Sequence, residues 1–475
     1  MRGQRYCGTS VMAAALLSTV FALSLSAADM TVRITADNYY DLYVNDEFID
    51  GRGGDLGWQN PGEYSVPLRS GKNVVAVLGE DGGAGRGVLA EIILPDGSRV
   101  VTSSEWKASS DFDFGWFCSN FDDNGWGNAN EVADAGGGPW SGRVNNAPAS
   151  PAKWIWRPTS GGDDKAWIVQ FRHTFTYGEG APDASFSIEK PNETSMSVDV
   201  SAMSGEQHAW DFGDGATGTG SSASHTYSAP GLYMVTHEAT GGGTTGECGM
   251  QVLITGEPAG YATLRVSGDN MGVGYVNGIL VCGIGNWKEM SEGRPIPLWP
   301  GENVIAVQGA IGDEGGGLVG EVTLSDGRRI GTTSEWKGSE NVLGDAWFNV
   351  GFDDGNWESP RKLEDYGTGL RDRNNSLADG SPADWVWGGN NKVPHYHVRK
   401  VITVQGDISS VSPAATRPPA SGLLIEKGAA RQSFTPLGRM VDFGTAHPHR
   451  PTGSAVILTG ERSPCAAGML ITRPR

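Results

Sequence analysis

Short apolar runs, rich in β-branched residues and broken by Gly, Pro, Asp or Asn, follow one another along most of the chain. TVRIT (31–35), DLYVN (41–45), NVVAVLG (73–79), GVLAEIILP (87–95) and RVVTS (99–103) are the first five. None shows the three-to-four-residue recurrence of an amphipathic helix. Their length and bounding residues predict strands, and their close spacing predicts a β-sandwich. Val44-Asn45-Asp46 and Val276-Asn277-Gly278 carry hairpin-turn residues, since Asn and Gly tolerate positive φ at both central positions.

The pattern is duplicated. TVRITADNYYDLYVND (31–46) matches TLRVSGDNMGVGYVNG (263–278), and GKNVVAV (71–77) matches GENVIAV (301–307). PDGSRVVTSSEWK (95–107) matches SDGRRIGTTSEWK (325–337), and GWFCSNFDDNGW (115–126) matches AWFNVGFDDGNW (346–357). PAKWIW (151–156) pairs with PADWVW (382–387), and the closing strand VQFRHTF (169–175) with YHVRKVI (396–402). One whole domain therefore occurs twice, over 29–178 and 260–405. Between the copies, over 182–256, a different set of strands forms a smaller sandwich: DASFSIE, SMSVDVS, HAWDFGDG, HTYSAPGLYMVTHEAT and CGMQVLIT. The fold class expected is all-β: three sandwiches and a C-terminal tail.

Composition adds the compartment. Arg2 and Arg5 precede an apolar run, Val11 to Leu25, that ends in Ser26-Ala27-Ala28. This reads as a signal peptide over 1–28, with no membrane span after its cleavage and a secreted, extracellular, cell-surface or periplasmic destination. The formal charge is −19, and the acidity lies before residue 406, because the tail holds eight Lys/Arg against four Asp/Glu. An acidic body does not neutralise phosphates, so nucleic acid is excluded as a partner. The tail, 406–475, has no Trp or Tyr and is rich in Pro, Ala and Arg; it is expected to be mostly disordered. Cys118, Cys248, Cys282 and Cys465 follow the signal without framework spacing, so three disulfide pairings remain open.

The candidate chemistry lies in the repeats. Asp122/Asp123 and Asp353/Asp354 in the two FDD turns could serve as a structural turn, a calcium site or an acid pair. Glycosidase carboxylates must face each other across a sugar, whereas these are neighbours on one turn. A turn is the first reading and calcium the sharper alternative. Six Trp pairs align between the copies and read as core. Trp58 and Trp287, in Gly-rich stretches, and the unaligned Trp140 and Trp299 are the candidate sugar platforms, together with Asp37, Asn38, Asp269 and Asn270. Glu91 and Glu321 interrupt apolar strands and need partners; Arg172 and Arg399 on the closing strand are the candidates. His395 and His397 face one side of a strand but lack a third metal ligand.

WDFGDG (210–215) followed by HTYSAPGLYMV (225–235) resembles the PKD family of Ig-like sandwiches, which occur in extracellular proteins mostly as spacers. Asp211, Gly213, Asp214 and Gly215 would form its tight turn. The flanking repeats resemble galactose-binding-like jelly rolls, the modules found beside catalytic domains of glycoside hydrolases such as α-rhamnosidases. The resemblance rests on ADNYYDLYVN/GDNMGVGYVN, the GKNVVAV/GENVIAV strand, SEWK, FDD-x-x-W and the aromatic-Arg strand. It implies sugar contacts from loops at one end and a structural calcium. No cofactor is otherwise required. The reading that follows is an exported, non-catalytic recognition or adhesion protein for polysaccharide or glycan, with two sites acting by avidity. A structural surface or matrix protein that contacts other proteins is the second reading, and a divergent glycoside hydrolase the third.

Overall fold

The computed structural model describes residues 28–53, 57–81, 85–148, 151–156, 166–269, 271–284, 289–310, 316–340, 346–366, 377, 380–389 and 395–405, and two short strands of the tail. Residues 1–27, within the expected signal peptide, and most of the tail lie outside these residues. The fold is all-β, as its strand pattern predicts, with helix limited to short 3-10 turns among the described residues.

Copy one is a sandwich of two six-stranded sheets. One sheet is centred on Asp29–Asp37 and Gly87–Ile93; the other runs Glu47–Gly53, Tyr39–Val44, Gly71–Glu80, Ile168–Tyr177, Lys107–Ser109, Gly127–Asn128. Copy two repeats the plan. Its second sheet runs Ile279–Ile284, Met271–Val276, Gly301–Ala310, His395–Val404, Lys337–Ser339. The middle sandwich has Gln207–Asp211, Gly231–Gly241 and Thr244–Ile254 in one sheet, and Phe186–Lys190, Ser197–Ala202 and Ser222–Thr226 in the other. The tail strand Gln432–Phe434 pairs with Phe186–Lys190 and with Met440–Val441.

The Asn45-Asp46 and Asn277-Gly278 turns have positive φ at both residues (50° and 78°; 51° and 85°), the geometry their residue types predict. At Gly213 of WDFGDG, φ is +79°, and an added Cβ would lie 2.6 Å from the Met234 carbonyl oxygen, so glycine is required twice over.

The central strands are buried on both faces, which explains why NVVAVLG is a continuous apolar run and not an alternating one. Val75 and Val77 point into the core of copy one. Ala76 and Leu78 point outward, into a second cluster with Tyr43, Trp116 and Ile168 of copy one and Val273, Tyr275, Val304, Ala306, Trp347 and Phe348 of copy two. The two copies thus pack through the outer faces of their second sheets. Equivalent rings meet there, Tyr43 stacked on Phe117 at 4.5 Å and Tyr275 on Phe348 at 4.4 Å. The aligned Trp116 and Trp347 are buried as expected, but in this seam and not within a sandwich.

Candidate functional site

The two FDD turns are built alike. Asp122 Oδ1 accepts the Asn124 amide at 2.9 Å, and Asp353 Oδ1 accepts the Gly355 amide at 2.9 Å. The second aspartates turn elsewhere. Asp123 pairs with Arg172 Nε at 3.0 Å, and Asp354 pairs with Arg399 Nη1. Both guanidiniums are buried. That of Arg172 also donates to the carbonyls of Trp116, Cys118 and Phe121, and that of Arg399 to those of Asn349 and Phe352. Burial pushes the Arg172 pKa down from its ordinary value, while Asp123 pushes it back up. Phe121 and Trp126 meet edge-on at 5.5 Å beneath the turn. Each turn is therefore one amide cap plus one arginine clamp. Its carboxylates do not converge, and no group of three or more His, Cys, Asp or Glu among the described residues is placed to hold a metal. A calcium ion does not fit Asp122/Asp123 or Asp353/Asp354, because the carbonyls and second carboxylate that would ligate it already serve an arginine.

The other candidates are placed as follows. Trp58, Trp140 and Trp299 are 5%, 3% and 6% exposed, so none offers an open ring face to a sugar. Trp58 and Trp140 pack with Leu89, Ala135 and Trp154 in a cluster outside the core of copy one. Trp140 stacks on Trp154 at 4.1 Å and donates to Asp37 Oδ2 at 2.8 Å, and Arg143 covers Trp58. Trp299 Nε1 donates to the Glu302 carbonyl. The amides of Asn38 and Asp269 donate to the carbonyls of Glu80 and Gly317. Trp287 and Asn270 lie outside the described residues. Glu91 pairs with Arg33 and Arg99, and Glu321 with Arg329 at 2.7 Å. Arg172 and Arg399 are not their partners, because each lies on the opposite sheet of its sandwich. Cys118, Cys248 and Cys282 are free and buried; Cys465 lies outside the described residues.

The FDDN turn of copy one does border an open cleft, of about 360 Å³, against the middle sandwich. Lys72, Asp122, Asp123, Asn124 and Thr174 line it from copy one, and Ser185, Phe186 and Met203 from the middle sandwich. The wall is held by a reciprocal pair: Asn120 Nδ2 donates to the Phe186 carbonyl at 2.8 Å, and the Phe186 amide to Asn120 Oδ1 at 3.1 Å. Ser119 and the Arg69–Glu247 ion pair add to the joint. Met203 is 61% exposed. The cleft offers hydroxyl, amide, ammonium and carboxylate groups beside one flexible apolar side chain. Lys72, Thr174, Ser185 and Met203 carry no sequence signal, because they converge only when two domains meet. Copy two has Glu302, Gly355 and Val401 where copy one has Lys72, Asn124 and Thr174, so the chemistry of the cleft is not duplicated.

No curated protein matches the chain. Among solved structures, a lectin from Pleurotus ostreatus in complex with GalNAc is 17% identical, covers 72% of this chain and 82% of its own, and has a TM-score of 0.22. Streptomyces avermitilis α-L-rhamnosidase complexed with L-rhamnose is 16% identical over 77% of this chain and 29% of that one, at 0.22. The PKD1 domain of Vibrio anguillarum Epp is 26% identical over 16% of this chain and 96% of that one, at 0.15. These scores are too low for the likenesses to carry weight. The family model is more specific: residues 181–252 match the PKD domain, and the middle sandwich is accordingly a PKD domain.

Proposed function

We propose that this is an exported, non-catalytic recognition protein that binds polysaccharide or glycan chains. The observation that carries this reading is the cleft at Asp122–Asn124, with its mixed donors and acceptors and the exposed Met203. Hydroxyl-rich ligands need such a mixture, and clefts between domains are common ligand sites. The PKD domain then acts as a spacer and also supplies one wall. The residues of this cleft are not duplicated in copy two, so avidity between two equal sites is not invoked. Catalysis is not part of the reading, since Asp122 and Asp123 share one turn and Asp123 is held by Arg172.

The test is a glycan and polysaccharide array probed with the full chain, followed by titration of the best ligand. Lys72→Gln with Met203→Ala, both away from the turn's own hydrogen bonds, is expected to weaken binding about tenfold, the worth of one good contact. Absence of binding to every glycan, or unchanged affinity in the double variant, would overturn the site. The buried Trp58, Trp140 and Trp299 favour the second reading, a structural surface protein that binds other proteins. That reading gains if the array is blank and surface proteins are captured instead.

A further inference from the structure

The seam between the two copies holds an unusual set of polar groups. The Glu80 carboxylate is 1% exposed and neither oxygen has a hydrogen-bond partner. Gln170 Nε2, His395 Nε2, His397 Nδ1 and Arg399 Nε are also buried without one. All five side chains project from the outer faces of the two seam-forming sheets, on the same sides of their strands as Leu78, Ile168, Val304 and Ala306. Buried groups without partners are rare in folded proteins and ask for an explanation.

The duplication has sorted these groups by charge. The acids come from copy one, Asp41 and Glu80, where copy two has Val273 and Ala310. The imidazoles come from copy two, His395 and His397, where copy one has Ile168 and Gln170. Each acid and each imidazole therefore faces its sister sheet from one side only, while the arginine is present in both copies. We propose that this seam is a pH-sensitive joint, which opens when its buried acid or its buried imidazoles take up charge.

The surroundings of each group are defined. Glu80 lies in register between Tyr39 and Ile168, with the Asp41 carboxylate nearby. His395 lies in register with Ala310, has His397 on its own strand and packs on Tyr39 at 4.5 Å across the seam. His397 lies in register with Gln308 and Ser339 and meets Trp347 edge-on at 4.8 Å. Other charged groups at this face are Arg172 and Arg399, paired with Asp123 and Asp354, and Asp113, whose amide donates to Gln170 and whose carboxylate accepts from Trp126 and acts on Arg294 of copy two. Among the described residues, no opposite charge sits beside Glu80 or the histidines to hold them ionised.

Burial raises Glu80 well above its ordinary value, with Asp41 adding to the shift. Burial lowers His395 to about 4, and burial with the neighbouring His395 lowers His397 to about 3. The two arms have opposite signs. The closed seam is favoured by neutral histidines above their open-state value of 6.5, and that stability is lost as pH falls from there toward 4 and 3. It is favoured by a protonated Glu80 below 4.5, and that stability is lost as pH rises toward the raised value. Each histidine shifts the closing equilibrium by up to about tenfold per pH unit.

Met271 is fully buried in the seam against Tyr39 and Ala310, which makes it a reporter. Hydroxyl-radical footprinting of the full chain at about pH 5, 7 and 9, read at Met271 by mass spectrometry, is the experiment. Trp106 and Trp336, buried in the separate sandwich cores, serve as controls for unfolding. Wild type is expected to label Met271 about tenfold faster at the acid end than the variant H395I/H397Q, which carries the sister copy's residues. E80Q is expected to label more slowly than wild type at the alkaline end only. Equal Met271 labelling of wild type and both variants at every pH would overturn the proposal. So would labelling of Trp106 in step with Met271, which would mean unfolding of the sandwich and not opening of the joint.

Discussion

At the residue scale, the FDD motif divides its labour. The first aspartate caps an amide two residues on, a worth of about 1 kcal/mol. The second holds a buried arginine that gathers the carbonyls of the preceding loop. Arg172 is therefore the costlier residue to lose. Arg172→Ala leaves those carbonyls buried without a donor and is expected to destabilise copy one by about 3–5 kcal/mol. Asp122→Ala is expected to cost about 1 kcal/mol. Urea midpoints of the two variants, compared with wild type, decide the order; a larger loss for Asp122→Ala would reverse the assignment. The aspartates' turn chemistry was legible in sequence, and so was the repetition of the arginine. The pairing itself was not, because Arg172 lies 49 residues from Asp123 and its partner is set by which sheet face it occupies.

At the scale of elements, strand positions and turn residues followed from apolar pattern and from Asn, Asp and Gly placement. Gly213 shows why such turns tolerate little change. Its left-handed φ and the close Met234 carbonyl make Gly213→Ala a clash as well as a strain. A loss of about 1–3 kcal/mol is expected, confined to the PKD domain. Thermal unfolding followed at the buried Trp210 should shift, while the transitions of the two flanking sandwiches should not. What the strands could not reveal is which side of each would be covered twice. A run such as NVVAVLG says that both faces are apolar, and it is silent on whether a loop, another domain or its own duplicate covers the second face. Trp58, Trp140 and Trp299 failed as sugar platforms for a related reason. A Gly-rich stretch is free to fold its Trp outward or back, and burial of a large ring favours the second.

For the whole molecule, the seam is the deciding feature. It joins the copies through small central residues, Ala76 and Ala306, flanked by paired aromatic rings. Ala306→Trp would overpack that joint, at a cost of about 1–3 kcal/mol. The expected result is a larger radius of gyration in solution scattering with unchanged far-ultraviolet circular dichroism. Unchanged scattering would show that the seam is not what holds the copies together. Sequence by itself determined the strands, the duplication, the hairpin and PKD turns and the acidic body, because each depends on local backbone preference, internal comparison or charge. Tertiary structure alone decided the cleft at Asp122–Asn124, the partners of Glu91, Glu321 and Arg172, and the burial of Glu80 between the copies. Those depend on which surfaces meet, and the apolar pattern of a strand names a buried face without naming what buries it.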